Sequence, residues 1–266
     1  MIRVAWLTDL HLDFAEPEQV RGIVDQLERL RVDQVLISGD TGEAPNVVPY
    51  LDSLDGELGR PIAFVLGNHD FYRSSIQRVR GQIAQLCSRT EGLNYLTQCE
   101  HLVLTPNTAL VGHDGWADGR AGNYERSQVM LSDYALIAEL AGLGKPARRM
   151  MLEALGDDAA RHIRRVLPPA AAHFSHVVLV THVPPLREAC WHDGRVSDDD
   201  WAPHFTCQAM GDAILEIMRD HPDTQLTVLC GHTHGAGETR PLENVRILTG
   251  GAEYGRPRVT DVLELP

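Results

Sequence analysis

The stretch Val65-Leu66-Gly67-Asn68-His69-Asp70 joins an apolar run directly to three polar side chains. The run begins at Ile62 and stops at the glycine, which is the pattern of a buried parallel strand. Open α/β sheets bind their ligands at the carboxyl ends of such strands. We therefore expect the amide, the imidazole and the carboxylate that follow Gly67 to lie at a ligand-binding site.

Four further apolar runs end in the same kind of polar group. The residues that follow them are Asp9-Leu10-His11, Gly39-Asp40, His182 and Gly231-His232-Thr233-His234. Carboxylate, amide and imidazole groups are ligands of hard or borderline divalent metals. The candidate ligands are Asp9, His11, Asp40, Asn68, His182, His232 and His234. Seven ligands are too many for one four-coordinate ion, but they suit two ions that share a carboxylate. The sequence thus predicts a metal-centred active site.

The rest of the chain alternates between apolar runs and helical periodicity. Helices are expected over 17–31, about 46–58, about 74–88, much of 126–167 and about 207–220. The fourth is expected to be interrupted near Gly142-Gly144-Pro146 and to end at Pro168-Pro169. The strand-like runs 93–97, 101–105 and 108–112 are spaced as antiparallel pieces of a second sheet. Two more strands are expected at about 245–249 and 258–264.

Length and composition favour a single enzyme-sized domain over residues 1–266. No apolar run reaches the length of a membrane span and no signal peptide precedes the first strand, so we expect a cytoplasmic protein without membrane contact. The five scattered cysteines indicate reduced thiols. A net charge of −13 disfavours a broad nucleic-acid surface, whereas bound cations would still attract a small phosphorylated substrate.

The five polar motifs occur in an order that resembles the calcineurin-like metallophosphoesterase family, and they span residues 9 to 234. The resemblance implies an α/β fold with a central β-sandwich of two mixed sheets flanked by helices, in four layers α/β/β/α. From the polar loop and the helical pattern that follows it, we also expect a helical or loop elaboration at about 113–175. The missing Arg after Gly39-Asp40-Thr41-Gly42-Glu43 sets the chain apart from the family's protein phosphatases, and it most resembles the bacterial phosphodiesterase branch.

The resemblance also implies which residue holds which ion. The first metal would be held by Asp9, His11, Asp40 and His234. The second would share Asp40 and add Asn68, His182 and His232. The two divalent ions would be manganese or iron, with zinc as an alternative. A hydroxide bridging the two ions would attack phosphorus in line.

The remaining residue of the third motif has a separate implied role. His69 would contact the phosphoryl oxygen or protonate the leaving group. Either Glu43 or Asp70 would orient His69 and keep it protonated.

Two loops are candidates for lining the substrate cleft. His113 and Asp114 directly follow a predicted strand. The segment 183–206, which contains Trp191 and His192, is either a lid over the metals or a loop packed against the body.

The preferred function is hydrolysis of a small phosphodiester, ahead of a phosphomonoester. A structure-specific nuclease would be favoured if a set of arginines clustered beside the metal cleft. These residues are Arg120, Arg126, Arg148, Arg149, Arg161, Arg164 and Arg165. A non-catalytic metal-binding module on the same fold is a further alternative. A structural metal site is disfavoured, because such sites are usually closed Cys and His tetrahedra.

Overall fold

The computed structural model describes residues 1–266 and contains thirteen strands and seven α-helices. The strands are β1 Ile2–Leu7, β2 Gln34–Ser38, β3 Ile62–Val65, β4 Leu93–Tyr95, β5 Leu102–Thr105, β6 Thr108–Gly112, β7 His176–Val180, β8 Trp191–His192, β9 Arg195–Val196, β10 Gln225–Cys230, β11 Gly237–Leu242, β12 Val245–Thr249 and β13 Asp261–Leu265. The helices are α1 Pro17–Leu30, α2 Val47–Leu58, α3 Ile76–Cys87, α4 Asp133–Leu136, α5 Lys145–His173, α6 Ala202–Phe205 and α7 Gln208–Arg219.

Two mixed sheets form the centre of the molecule. The first has the order β13-β1-β2-β3-β4, in which β1 to β4 are parallel and β13 is antiparallel. The second has the order β11-β12-β10-β7-β6-β5, with four parallel strands between two antiparallel ones. The predicted pair of mixed sheets is confirmed.

Three apolar cores separate four layers. Side chains on a strand alternate between the two faces of a sheet. In β1, Val4 and Trp6 therefore pack between the two sheets, while Ala5 and Leu7 pack beneath the outer helices α1 to α3. The second sheet buries its outer face under α5 and α7, which also pack against each other. The four-layer architecture α/β/β/α is confirmed.

Two predictions about strands need correction. The run at 93–97 was expected in the second sheet, but β4 pairs in parallel with β3, with Leu93 opposite Ile62. Its apolar residues Leu93 and Tyr95 are both buried in the core of the first sheet, which explains the placement. Strand β11 was not predicted, because its sequence Gly-Glu-Thr-Arg-Pro-Leu lacks an apolar face. The antiparallel pairing of β5 with β6 is confirmed.

The interruption predicted near Gly142-Gly144-Pro146 is confirmed, because α5 begins at Lys145, but the helical prediction for 126–167 is wrong at both ends. Residues 126–132 contain no helix, and the short α4 precedes the 29-residue α5. Pro168 and Pro169 lie inside α5 rather than ending it. Each proline removes a helical hydrogen bond, but buried Leu167, Ala170 and Ala171 pack against the body and keep the last turns helical. None of the seven helices is both apolar enough and long enough to traverse a bilayer.

Candidate metal centre

Strand ends from both sheets meet at one site. Asp9 follows β1, Asp40 follows β2 and Asn68 follows β3, all in the first sheet. From the second sheet, the loop after β10 approaches so closely that a Cβ atom on Gly231 would lie 2.1 Å from Asp9 Oδ2. The backbone N–H of His232 donates to Asp9 Oδ1 at 3.0 Å. The structure thus brings together all seven predicted ligands, which lie up to 225 positions apart in sequence.

One group of ligand atoms is centred on His11. The Nε2 atoms of His11 and His234 lie 3.0 Å apart. Asp9 Oδ1 is 3.5 Å from His234 Nε2 and 4.0 Å from His11 Nε2. Asp40 Oδ2 is 3.7 Å from His11 Nε2. Two carboxylates and two imidazoles therefore point their donor atoms into one small volume.

A second group shares Asp40 with the first. Asp40 Oδ2 lies 3.4 Å from His182 Nε2. Asn68 Oδ1 lies 3.0 Å from His182 Nε2 and 3.0 Å from His232 Nδ1. The Asp40 carboxylate is thus the group common to both clusters, as a bridging ligand requires.

Hydrogen bonds behind the site set which atoms face inward. The amide nitrogen of Asn68 donates to the Tyr72 hydroxyl and to Asp133 Oδ2, each at 3.1 Å, so its oxygen faces the histidines. His182 Nδ1 lies 2.9 Å from the carbonyl oxygen of Ser38, to which it donates, leaving Nε2 for a metal. Such outer contacts commonly fix the tautomer and orientation of metal ligands.

The ligand loops adopt an unusual backbone. Eight non-glycine residues in the chain have positive φ, and five of them are candidate ligands. Those five are Asp9 at 49°, His11 at 44°, Asp40 at 53°, His232 at 70° and His234 at 57°. A left-handed conformation is costly for a residue with a Cβ atom and is concentrated at functional sites. The strained backbone at these five residues therefore directs their side chains toward the site.

The ionisation of the site suits cations. Burial lowers the pKa of His11 to about 4 and that of His232 to about 3, so both rings carry free lone pairs at pH 7. Burial also disfavours a charged His182, but the adjacent Asp40 outweighs it and raises the pKa of His182 to about 10. Asp40 itself has a pKa held well below its usual value, since His182 and His69 outweigh its burial. A metal ion would therefore displace a proton from His182. The donors fit a pair of divalent cations.

Comparison with known proteins supplies the family. A family model described as calcineurin-like phosphoesterase matches residues 2–236. The chain belongs to this family. It is accordingly a metal-dependent phosphoesterase, for which the family implies two divalent ions. A comparison with curated proteins finds no match.

Solved structures share the fold. A phosphopantetheinyl hydrolase from Mycobacterium tuberculosis superposes with a TM-score of 0.66 at 16% identity, over 95% of this chain and 90% of that one. A dimetal phosphatase from Danio rerio gives a TM-score of 0.58 at 17% identity, over 94% of this chain and 87% of the other.

His69 lies beside the candidate ligands of this phosphoesterase. Its ring centroid is 4.5 Å from that of His11 and 4.2 Å from that of Tyr72. Its Nδ1 atom is buried without a hydrogen-bond partner, and its Nε2 atom is 3.4 Å from the Tyr254 hydroxyl. The backbone N–H of His69 donates to Asp40 Oδ1 at 2.8 Å. The ring is therefore held near the site while its nitrogens remain free of strong partners.

Neither acidic residue expected to orient His69 contacts its ring. Asp70 accepts backbone N–H bonds from Asp40, Gly42 and Gly67, at 2.9, 2.9 and 2.7 Å. Glu43 instead pairs with Arg73 at 2.5 Å. The short segment after Asn68 turns the Asp70 carboxylate toward the protein interior. There the carboxylate connects the loops that follow β2 and β3 by hydrogen bonds.

A cavity of about 510 Å³ opens onto the candidate ligands Asp40, Asn68, His232 and His234. His192 lines it, as expected for a substrate-contacting residue. Trp191 does not line it, because its indole packs against the start of β11, where a Cβ atom on Gly237 would lie 2.3 Å from the ring.

His113 and Asp114 also lie outside the cavity, contrary to expectation. Asp114 is buried and accepts hydrogen bonds from the Leu66 backbone N–H at 2.8 Å and the Tyr95 hydroxyl at 2.6 Å. It also pairs with Arg80 at 2.9 Å. His113 faces Asp158 at 3.7 Å on the far side. These two residues, which follow β6, therefore lie behind the candidate ligand loops instead of lining the cavity.

Several cavity-lining residues were not predicted from the sequence. Tyr72, Asp133, Arg195 and Tyr254 all line it. The Asp193-Gly194 dipeptide is a strong hairpin signal and would have predicted the β8–β9 turn that carries Arg195. Tyr254 has no such signal, since only the tertiary fold brings its ring within 5.0 Å of the His234 ring.

Proposed function

We propose that this phosphoesterase is a dinuclear hydrolase that cleaves a small phosphodiester, in preference to a phosphomonoester, in the cytoplasm. The observation that carries the proposal is the overlap of two ligand clusters at Asp40. In this assignment Asp9, His11 and His234 complete the first site. Asn68, His182 and His232 complete the second.

The ligand chemistry suggests which ions bind. The set contains carboxylate, amide and imidazole groups and no thiolate, which favours manganese or iron and also permits zinc. When bound, two such ions supply a nucleophilic hydroxide near neutral pH and positive charge for the phosphoryl oxygens. His69, with a free ring nitrogen beside Asp40 and His11, is the chain's own group for contacting the phosphoryl oxygen or protonating the leaving alcohol.

The charge of the cavity supports a small phosphodiester. Arg195 is its one Lys or Arg side chain, so the protein offers little positive charge beyond the ions for a dianionic monoester. The seven arginines that would favour a nuclease do not line the cavity. Four of them are ion-paired with acidic residues elsewhere: Arg120, Arg149, Arg161 and Arg164.

The segment 183–206 is proposed as the lid. Its hairpin places His192, Arg195 and Val196 on the cavity wall, and Trp201 and Phe205 follow. It contacts the β10 loop through two hydrogen bonds: His192 Nδ1 donates to the Thr233 carbonyl oxygen at 2.9 Å, and His232 Nε2 donates to the His204 carbonyl oxygen at 3.2 Å.

The test is reconstitution of chelator-treated protein with manganese, iron or zinc. We expect about two ions per chain, and a higher kcat/KM for bis-p-nitrophenyl phosphate than for p-nitrophenyl phosphate. Asp40→Asn should lose metal and turnover together, whereas Asp25→Asn, an exposed carboxylate change on α1, is the matched control. Full activity with a single ion, or normal turnover in Asp40→Asn, would refute the dinuclear assignment.

A further inference from the structure

Trp201 forms an exposed aromatic wall of the cavity. It is one of the few large apolar side chains left open to solvent, with 44% of its surface exposed. One face of its indole stacks on Phe205, with ring centroids 5.3 Å apart and an interplanar angle of 20°. Its other face has no aromatic partner in the structure.

Phe205 connects this wall to the metal centre. Its ring meets that of His232 edge-on, at 5.1 Å and 85°. His232 in turn lies 3.0 Å from Asn68 Oδ1, within the second ligand cluster. An unbroken series of aromatic rings therefore runs from a predicted metal ligand to the solvent-exposed indole.

Arg195 adds a positive charge to the same cavity. It lies in β9, just after the left-handed turn residues Asp193 and Gly194, with φ of 48° and 73°. Unlike most arginines of this chain, it makes no ion pair or side-chain hydrogen bond. An unpaired guanidinium beside the site is available for an anionic oxygen of the substrate.

We propose that the substrate is a phosphodiester with a planar aromatic or heteroaromatic ring on the ester group that stays on the phosphate after cleavage, and that this ring stacks on the free face of Trp201. This inference rests on the proposed function for the position of the phosphate. Arg195 contacts that phosphate or a second anionic group beside it. A flat ring on an exposed indole gains stacking and apolar burial without needing a hydrogen-bond code. The cavity volume is in the range of sites for ligands of this size.

Two esters with the same leaving group test the stacking by kinetics. Thymidine 5′-(p-nitrophenyl phosphate) carries a planar base on the retained ester group, and methyl p-nitrophenyl phosphate does not. We expect the wild-type protein to prefer the thymidine ester by about tenfold or more, in the range of a base–aromatic stack. Trp201→Ala should lose most of that preference and Trp201→Phe should retain most of it.

A control substitution separates stacking from a general loss of exposed apolar surface. Val103→Ala changes an exposed residue of β5 far from the cavity lining and should leave the preference unchanged. Equal losses for both esters in Trp201→Ala, or a wild-type preference near one, would overturn the proposal.

A binding measurement decides the proposal without turnover. Thymidine 5′-monophosphate and methyl phosphate are titrated into the metal-loaded protein by calorimetry. Thymidine 5′-monophosphate should bind about tenfold more tightly, and Trp201→Ala should abolish the difference. Equal affinities in the wild type would overturn the stacking. Absence of hydrolysis with retained base-dependent binding would contradict the proposed function alone.

Discussion

His69 and Asn68 are neighbours in the chain but serve different partners. The Asn68 oxygen faces His182 and His232, whereas the His69 ring faces the open cavity. His69→Asn should therefore keep both metals while removing the proton-donating ring. Turnover of an alkyl phosphodiester should fall by about 10²–10⁴, the range for loss of a general acid. A p-nitrophenyl ester, whose leaving group needs little protonation, should lose much less.

Two results would contradict this assignment of His69. Equal losses for both esters would mean that the ring stabilises charge on the phosphoryl oxygens instead of donating a proton. A mutant that binds one ion fewer would mean that His69 is a ligand. Steady-state kinetics and elemental analysis of the same preparation distinguish these results.

Asp133 orients Asn68 from behind. It accepts hydrogen bonds from the Asn68 amide at 3.1 Å and from the Tyr72 hydroxyl at 2.7 Å. Asp133→Ala removes this acceptor and lets the amide rotate. Metal affinity at the second site should fall about 10–100-fold, as is typical when the partner of a ligand is lost.

A calorimetric metal titration measures this effect. Ser132→Ala is the matched control, because Ser132 lines the same cavity and makes no side-chain hydrogen bond to Asn68. Unchanged affinity in Asp133→Ala would show that the Asn68 amide is held by other contacts.

At this scale the sequence patterns identify seven candidate ligands, which the structure places close together, but they do not identify the residues that orient them. The candidate ligands follow apolar runs that are evident in the sequence, such as the one before Asp40. Asp133 lies 65 residues from Asn68 in an irregular segment, so no local pattern connects them. The left-handed backbone of Asp9 and His11 is likewise imposed by tertiary contacts.

Among the elements, α5 carries a buried histidine far from the metal centre. Burial lowers the pKa of His162 to about 4, and His113 and Arg165 add to the shift. The unfolded value is about 6.5, so the unfolded chain binds the proton more readily between pH 6.5 and 4. The stability that depends on neutral His162 is fully present above pH 6.5 and is lost as pH falls toward 4.

His162→Gln should therefore reduce the pH dependence of the unfolding free energy in this window. The difference in slope is at most about 1.4 kcal/mol per pH unit, the value for one proton. Urea denaturation of metal-free protein at several pH values measures it. His173→Gln, at the exposed end of the same helix, is the control. An identical slope in wild type and His162→Gln would contradict the prediction.

Elements were predictable where local signals agree with packing. Helix α1 begins at Pro17 and ends one residue before its predicted limit, because its apolar stripe and its early proline point the same way. The prolines in α5 failed as stop signals because burial of the surrounding residues outweighs them. Strand β11 forms because its backbone hydrogen-bonds to β12, and no sequence pattern reports such pairing.

Over the whole molecule, the candidate site belongs to neither sheet alone. The first sheet supplies the carboxylates Asp9 and Asp40, and the second supplies His182, His232 and His234. The order of the motifs was sufficient to predict the architecture through the family resemblance. The cavity was not predictable, because its walls come from Tyr72, the hairpin at 191–196 and Tyr254, which meet only in the folded protein.

Strand β13 has a consequence for solubility. It pairs with the edge of β1 over five of its six residues, from Ile2 opposite Leu265 to Trp6 opposite Asp261. Deleting residues 260–266 would leave a row of unpaired N–H and C=O groups on an apolar strand, a template for pairing with another copy. We expect concentration-dependent self-association by light scattering, whereas Glu264→Ala, exposed within an intact β13, should stay monodisperse. A deletion variant that remains monodisperse would show that the flanking loops cover β1 by themselves. Self-association of the deletion variant would show that β13, besides completing the first sheet, prevents the β1 edge of one molecule from pairing with another.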